Sequence, residues 1–232
     1  MKIITISNQK GGSGKTSSTV LLTLAIASTG MKVLIVDCDP QAGSTSFLLP
    51  HHPDIMGLFD MLVGEDVIPQ TINRNGITFD LMPSDHRLDK IYATMSPYEL
   101  ERFKKLPYDY IIFDTPPTVQ GITRAAAIIA DKIIIPADIS RATIKPTLYT
   151  LEALKEIKKK GKVLLVGKEP EKETKGFIAE TARDFIKALG TNYGGTIQRN
   201  VAMQKAVSDE TMKWSSAKIA KLLAPVLKAV NL

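Results

Sequence analysis

The chain has 232 residues, of which 44% are hydrophobic and 23% charged, and this suits one folded α/β domain with a sizeable core. Its single cysteine, Cys38, excludes an intramolecular disulfide and any metal or cluster site built from several cysteines. No stretch approaches the roughly 18 apolar residues of a membrane span, and the N-terminus lacks a signal-peptide pattern, so we expect a cytoplasmic protein.

The formal net charge of +6 is unevenly distributed along the chain. Residues 1–150 carry 14 Lys and Arg against 15 Asp and Glu, whereas residues 151–232 carry 16 against 9. This asymmetry indicates a face that binds polyanions. Charge alone leaves a second interpretation open, a lysine-rich surface that is merely solvated.

Apolar β-branched runs alternate with longer helical patterns. The runs predicted to be strands are Lys2–Ser7, Lys32–Asp37, Ile77–Pro83, Tyr110–Asp114, Lys132–Pro136, Lys162–Gly167 and Gly195–Gln198. The segments predicted to be helices are Lys15–Thr29, Leu88–Lys104, Ile122–Ala130, Thr143–Lys160, Thr174–Leu189 and Val201–Ser208. Strands separated by helices form parallel units, so this order predicts an α/β fold with a doubly wound, mostly parallel sheet and helices on both faces. Residues 51–75 are irregular, but no linker divides the chain, and we expect residues 1–232 to form one domain.

A glycine-rich turn follows the first predicted strand and precedes the first predicted helix. Glycines there let backbone N–H groups point at a polyphosphate, and the helix N-terminus adds its partial positive charge. Lys15 would reach the β- and γ-phosphates of a nucleotide, and the Thr16 hydroxyl would bind Mg²⁺. The residues of this predicted phosphate loop are Lys10, Gly11, Gly12, Ser13, Gly14, Lys15, Thr16 and Ser17.

The spacing of the loop departs from the usual G-x-x-x-x-G-K-[ST] pattern. Gln9 stands where the first glycine belongs, and a second lysine, Lys10, stands beside it. An extra cation in a loop already served by Lys15 requires additional negative charge, for which a second triphosphate is a plausible source.

The sequence K-G-G-x-G-K-T resembles the deviant Walker A motif of the ParA/MinD group of P-loop ATPases. The resemblance implies an ATP-dependent homodimer in which Lys10 reaches the nucleotide of the partner subunit. It also implies slow ATP hydrolysis with MgATP as the cofactor.

Two further segments are similar to motifs of this group, and both end a predicted strand. The segment Asp37-Cys38-Asp39-Pro40-Gln41 is similar to the D-x-D-P-Q segment, and the resemblance assigns the orientation of the attacking water to Asp39. The group often continues G-N-x-T, whereas this chain reads Ala42-Gly43-Ser44-Thr45, so the contacts of the asparagine are absent.

The strand Tyr110–Asp114 followed by Thr-Pro-Pro matches the Walker B arrangement, in which Asp114 holds the shell of the magnesium ion. Acidic residues at the end of buried strands are common, but the D-T-P-P sequence makes the similarity to the group specific. The resemblance runs in register from Lys2 to about Pro136.

The basic C-terminal third favours a ParA-type carrier that binds double-stranded DNA without sequence preference and is stimulated by a ParB-like protein. The segment Thr196–Val201 resembles a ParA sequence near adenine and DNA, although Gln198 replaces its proline. The candidate DNA-binding residues are Arg199, Lys205, Lys213, Lys218 and Lys221. Because the phosphate loop begins near residue 10, we expect no N-terminal helix-turn-helix domain and no operator binding.

Two other functions remain as alternatives. One is a membrane-cycling, MinD-like positioning ATPase, since the segment 214–230 is amphipathic; its length and Pro225 favour docking on the protein's own domain. The other is a ligase or kinase for a small molecule that uses the same phosphate loop. The cargo of a carrier (plasmid, chromosome or protein complex) is not encoded in any recognisable motif.

Overall fold

A computed structural model of the chain describes residues 1–49, 55–74, 76–167, 177–198 and 227. Its strands are β1 (Lys2–Ile6), β2 (Val33–Asp37), β3 (Gln70–Arg74), β4 (Ile77–Met82), β5 (Tyr110–Asp114), β6 (Lys132–Asp138), β7 (Gly161–Gly167) and β8 (Tyr193–Gln198). Its α-helices are α1 (Lys15–Ala27), α2 (Gly43–Leu48), α3 (Leu58–Val63), α4 (Pro97–Glu101), α5 (Ile122–Ile129), α6 (Arg141–Glu156) and α7 (Phe177–Leu189).

The eight strands form one sheet in the order β3-β4-β2-β5-β1-β6-β7-β8. Every neighbouring pair is parallel except β3 and β4, which are antiparallel. In a parallel sheet the carboxyl ends of the strands lie at one edge, and this edge is where ligands bind. The predicted doubly wound α/β fold is confirmed.

Two apolar clusters cover the two faces of the sheet. On one face, α1 packs with alternate side chains of the strands, such as Ile4 and Ile35. On the other face, α4, α5, α6 and α7 pack against the side chains that alternate with these, such as Ile3 and Leu34. The central strands β2 and β5 are buried on both sides, which explains why they are apolar runs in the sequence up to their final aspartate.

Four parts of the sequence prediction need correction. The strand β3 and the helices α2 and α3 were not predicted, because they are five or six residues long and two of them lie wholly or mostly in the irregular segment 51–75. The single helix predicted over Leu88–Lys104 is wrong. Short 3₁₀ turns and α4 occupy this stretch. A helical conformation is disfavoured for a residue that precedes proline, and Ser96, which precedes Pro97, is extended.

The predicted helix Val201–Ser208 lies outside the described residues, as does the start of the helix predicted from Thr174. Within the C-terminal segment 214–230, Leu227 is described, and it packs half-buried against the cluster on the α1 face. In the described ranges, no helix has the length and hydropathy that crossing a membrane requires.

Candidate nucleotide site

The phosphate loop connects β1 to α1 at the carboxyl edge of the sheet. Gly12 and Gly14 have φ angles of 70° and 91°, a left-handed conformation that side-chain-bearing residues rarely adopt. A Cβ atom placed on Gly11, Gly12 or Gly14 would meet nothing within 4 Å, so the space in front of the backbone is open. Ser13 is buried, and its hydroxyl has no hydrogen-bond partner among the described residues, while Ser17 is exposed. The loop therefore has the shape and the free space that a phosphate group needs.

Lys15, the first residue of α1, is a nearly buried cation with 9% of its surface exposed. Its Nζ donates a hydrogen bond to the carbonyl of Lys10 at 3.3 Å, and it forms no salt bridge with any other described residue. Burial lowers the pKa of Lys15, while Asp114 and Asp39 act in the opposite direction. A buried ammonium group next to an open cradle is stabilised when an anion occupies that cradle.

The side chain of Lys10 is held by the junction of β6 and α6. Its Nζ lies 2.6 Å from the hydroxyl of Thr143, 3.4 Å from that of Ser140 and 3.3 Å from Asp138 Oδ2. Burial raises the pKa of Asp138, but hydrogen bonds from Ser140, Thr143 and Lys10 outweigh it and lower the pKa overall. Lys10, which the family resemblance assigns to the nucleotide of the partner subunit, is thus hydrogen-bonded within its own chain.

Residues 8–10, which lead into the glycines of the phosphate loop, are hydrogen-bonded to three threonines of α6. Asn8 Nδ2 donates to Thr147 Oγ1 at 3.2 Å, and the backbone N–H of Gln9 donates to Thr150 Oγ1 at 3.2 Å. Together with the contact between Lys10 and Thr143, these bonds attach residues 8–10 to one side of α6. No sequence motif predicts this attachment, although Asp138 ends β6 at the same edge of the sheet and Ser140 and Thr143 follow it.

Asp114, the last residue of β5, is a buried carboxylate that faces the loop. Its Oδ2 accepts hydrogen bonds from Thr16 Oγ1 at 2.9 Å and from Ser44 Oγ at 2.5 Å. Its Oδ1 is buried without a partner among the described residues. A carboxylate with a free oxygen beside a threonine hydroxyl is a donor set that fits a hard cation such as Mg²⁺. Sequence reasoning proposed Thr16 and Asp114 for this role and missed Ser44.

Asp37 lies beside Asp114, because the two residues are paired in the register of β2 and β5. Burial, with the charge of Asp114, raises the pKa of Asp37 to about 7. Asp37 accepts hydrogen bonds from the backbone N–H and the hydroxyl of Thr45, both at 2.8 Å. Asp37 therefore anchors α2 through Thr45, and the neighbouring Ser44 bonds Asp114.

Asp39 is half-buried just beyond Asp37. Its Oδ1 accepts a hydrogen bond from the backbone N–H of Gln41 at 3.0 Å, and its charge acts on the pKa of Lys15. The structure thus brings Lys15, Thr16, Asp39 and Asp114 to one edge of the sheet, while Lys10 lies to the side at α6. The five candidate DNA-binding residues, from Arg199 to Lys221, lie outside the described residues.

Comparison with known proteins agrees with this geometry. A family model described as an AAA domain matches residues 1–166. The sporulation initiation inhibitor protein Soj of Bacillus subtilis is 34% identical over 172 residues, which are 67% of this chain and 63% of Soj. The chain belongs to the ParA/MinD family of P-loop ATPases.

Two solved structures show the same fold as this ParA/MinD family member. Apo McdA of Cyanothece has a TM-score of 0.80 with 22% identity and covers 100% of this chain and 98% of its own. A plasmid partition protein of Borrelia burgdorferi, bound to AMPPNP, has a TM-score of 0.78 with 21% identity and covers 99% and 98%.

The raised pKa of the two buried aspartates predicts how the stability of the nucleotide-free protein changes with pH. Between about pH 4 and pH 7 the folded state binds more protons than the unfolded state at Asp37, and Asp114 shifts in the same direction. The free energy of unfolding should therefore fall from pH 5 to pH 7, by at most about 1.4 kcal/mol per pH unit for each group.

Urea unfolding at pH 5, 6, 7 and 8, without nucleotide or metal, measures this change. The Asp37→Asn variant should show a flatter profile, whereas the exposed control Asp109→Asn should follow the wild type. Stability that rises steadily from pH 5 to pH 8 would contradict the assignment.

Proposed function

We propose that this chain is a switch that binds MgATP, dimerises, hydrolyses ATP slowly and thereby moves cargo along DNA. Residues 1–232 would act as one P-loop domain. The observation that supports this best is Lys15, a buried cation beside an open glycine cradle and an incompletely bonded carboxylate. In the cell such a switch would reside in the cytoplasm on the nucleoid.

Nucleotide binding is supported by the cradle and by the Borrelia relative bound to AMPPNP. Gly11, Gly12 and Gly14 would surround the phosphates, Lys15 would neutralise them, and Thr16 with Asp114 would hold Mg²⁺. The bound ion neutralises charge on the phosphates. Ser44 would then keep Asp114 in place through its hydrogen bond to Oδ2.

Asp39 is the residue that we assign to the orientation of the attacking water. Asp39 is half-buried, and its charge, like that of Asp114, acts on the pKa of Lys15. One of its carboxylate oxygens accepts a hydrogen bond from the backbone N–H of Gln41. A carboxylate so placed can accept a hydrogen bond from water and fix its direction.

ATP-dependent dimerisation would require the side chain of Lys10 to release its contacts with Asp138, Ser140 and Thr143 of its own chain. The side chains of Lys10 and Asp138 are 25% and 33% exposed, and a salt bridge with that exposure contributes about 1 kcal/mol or less. Charged hydrogen bonds in a closed site contribute about 1.5–3 kcal/mol, so a partner's phosphates would outcompete Asp138 for the lysine.

The proposal of DNA binding rests on the excess of basic residues in 151–232. Clustered cations attract the phosphates of any DNA sequence, so such binding does not depend on particular bases. A ParB-like protein would accelerate hydrolysis and release the carrier from DNA. The cargo would be a plasmid, a chromosome or another assembly. Against the MinD-like alternative, Leu227 packs on the α1 face, which leaves that apolar residue unavailable to a membrane.

The two loop lysines should have separable roles. Lys15→Ala should lower the affinity for ATP on the order of 100-fold, since it removes the buried charge that faces the phosphates. Lys10→Ala should retain an affinity within about threefold but lose ATP-dependent dimerisation and stimulated hydrolysis. Fluorescent-nucleotide binding and analytical ultracentrifugation with ATP measure the two effects. Dimerisation of Lys10→Ala equal to that of the wild type would remove the central feature of the proposal.

The contact between Lys10 and Asp138 allows a second variant, which should favour dimerisation rather than prevent it. Asp138→Asn keeps the size of the side chain but weakens the hold on Lys10 by about 1 kcal/mol. The ATP concentration that produces half-maximal dimer should therefore fall about fivefold. An unchanged or higher concentration would show that this contact does not oppose dimerisation.

Asp39→Ala should bind ATP and dimerise but hydrolyse ATP on the order of 100-fold more slowly, leaving a persistent dimer. Single-turnover hydrolysis with radiolabelled ATP measures the rate, and gel filtration measures the dimer. If the variant hydrolyses ATP at the wild-type rate, Asp39 has no catalytic role.

Binding to random-sequence duplex DNA should require ATP and fall steeply with salt. Arg199→Ala should weaken binding to every sequence equally and reduce the slope of log affinity against log salt by about one. Lys160→Ala is a matched control, since Lys160 is exposed before β7, at the edge of the sheet opposite the phosphate loop.

Equal effects of the two changes would mean that the whole basic third attracts DNA without a defined face. Unaltered affinity in Arg199→Ala, with an intact dimer, would exclude that residue as a contact. Absence of DNA binding by the wild-type ATP dimer at low salt would exclude the DNA-carrier function, and co-sedimentation with anionic liposomes would then favour the membrane alternative.

A further inference from the structure

Ser84 lies at the carboxyl edge of the sheet without belonging to any nucleotide-binding motif. It follows β4, the neighbour of β2, and is 6% exposed. Its hydroxyl donates a hydrogen bond to the backbone carbonyl of Asp39 at 2.8 Å. Its backbone N–H donates to Thr45 Oγ1 at 2.9 Å. One residue outside the segment 37–48 thus contacts both ends of the turn that carries Asp39.

With these contacts, both the backbone N–H and the carbonyl of Asp39 are hydrogen-bonded. The N–H of Asp39 donates to Asp37 Oδ1 at 3.1 Å, and its carbonyl accepts from Ser84 and from the N–H of Ala42 at 2.8 Å. Thr45 donates to Asp37 and accepts from Ser84, so the same network also closes around α2. Of these partners, Ser84 alone belongs to a different strand connection.

The turn needs an external hold because its backbone is strained. Ala42 has a φ angle of 52° and a ψ angle of 46°, a left-handed conformation that costs a residue with a Cβ roughly 1–2 kcal/mol. Such a conformation persists only where surrounding contacts determine it. Removing one contact would therefore let the turn relax and displace the side chain of Asp39.

The loop that contains Ser84 is itself fixed on its outer side. Arg87 donates hydrogen bonds to both oxygens of Asp60, at 2.8 and 2.7 Å, and also bonds Asp85. The N–H of Leu58 donates to the carbonyl of Pro83 at 2.7 Å. A Cβ on Gly57 would lie 2.2 Å from that carbonyl oxygen, so α3 approaches the loop as closely as glycine permits. The contacts run from α3 through the Ser84 loop to Asp39.

We propose that Ser84 is a positioning residue for ATP hydrolysis, which holds Asp39 at the site through the carbonyl of Asp39 and the hydroxyl of Thr45. The inference rests on the proposed function, in which Asp39 orients water. A catalytic group must be held within about 0.5 Å of its productive position, and the strained turn does not achieve this by itself. Ser84 contacts neither Lys15, Thr16 nor Asp114 in the hydrogen bonds described above, so its loss spares nucleotide binding.

Ser84→Ala tests the inference by two independent measurements. In the nucleotide-free protein, hydrogen–deuterium exchange of a peptide covering residues 38–46 should be about tenfold faster than in the wild type, which corresponds to about 1.4 kcal/mol. In single-turnover hydrolysis the rate should fall about tenfold, while ATP affinity and dimerisation stay within twofold. Ser84→Thr keeps the hydroxyl and should restore the hydrolysis rate to within about threefold of the wild type.

Ser28→Ala is the matched control. Ser28 also donates its hydroxyl to a backbone carbonyl, that of Ala25 at 2.7 Å, but lies at the far end of α1. This variant should leave both the exchange of residues 38–46 and the hydrolysis rate unchanged.

The outcomes separate the inference from the proposed function. Wild-type exchange in Ser84→Ala, or an equal loss of ATP affinity and rate, would overturn the positioning role. Faster exchange with unchanged hydrolysis would also overturn it, provided that Asp39→Ala is slow. If Asp39→Ala hydrolyses ATP as the wild type does, the proposed role of Asp39 fails, and the exchange measurement still decides whether Ser84 holds the turn.

Discussion

Lys15, Asp37 and Asp114 are ionisable side chains that lie buried together where β1, β2 and β5 end. Burying charge costs free energy unless opposite charge or hydrogen bonds offset it. In the described part of the protein the offset is incomplete: Asp114 keeps one oxygen without a partner there, and the pKa values of both aspartates are raised. A polyanion bound together with a cation would remove the remaining deficit, so the proposed ligand would stabilise the site.

The hydroxyl groups around these charges show how the chain manages without the asparagine that the family often carries. Gly43 occupies that position, and a Cβ there would lie 3.1 Å from Thr16 Oγ1. The glycine lets α2 approach the phosphate loop closely enough for Ser44 to reach Asp114. The hydroxyl of Thr45 then donates to Asp37 and accepts from the backbone N–H of Ser84, so two hydroxyls, those of Ser44 and Thr45, hold this segment to the two aspartates.

The central sheet was predictable from the sequence because its strands are buried on both faces. The central strands β2 and β5 are buried at every position and apolar up to their final aspartate, whereas β3 is a short antiparallel edge strand with alternating exposure, which leaves no such run. Asp114 and Asp39 were predictable as site residues because they follow strands in recognisable motifs. Asp138, Thr143 and Ser84 were not, since each acts through a contact between segments more than 35 residues apart, and no local pattern encodes such a contact.

The attachment of residues 8–10 to Thr143, Thr147 and Thr150 has a mechanical consequence. These threonines lie on one side of α6 at intervals of three or four residues, so residues 8–10 are fixed to the helix at three successive points. Gly11 to Gly14, which lead into α1, have no comparable hydrogen bonds to α6 among the described residues. The position of the Lys10 side chain is therefore tied to α6, whereas Lys15 is placed by α1, four residues further along the chain than Gly11.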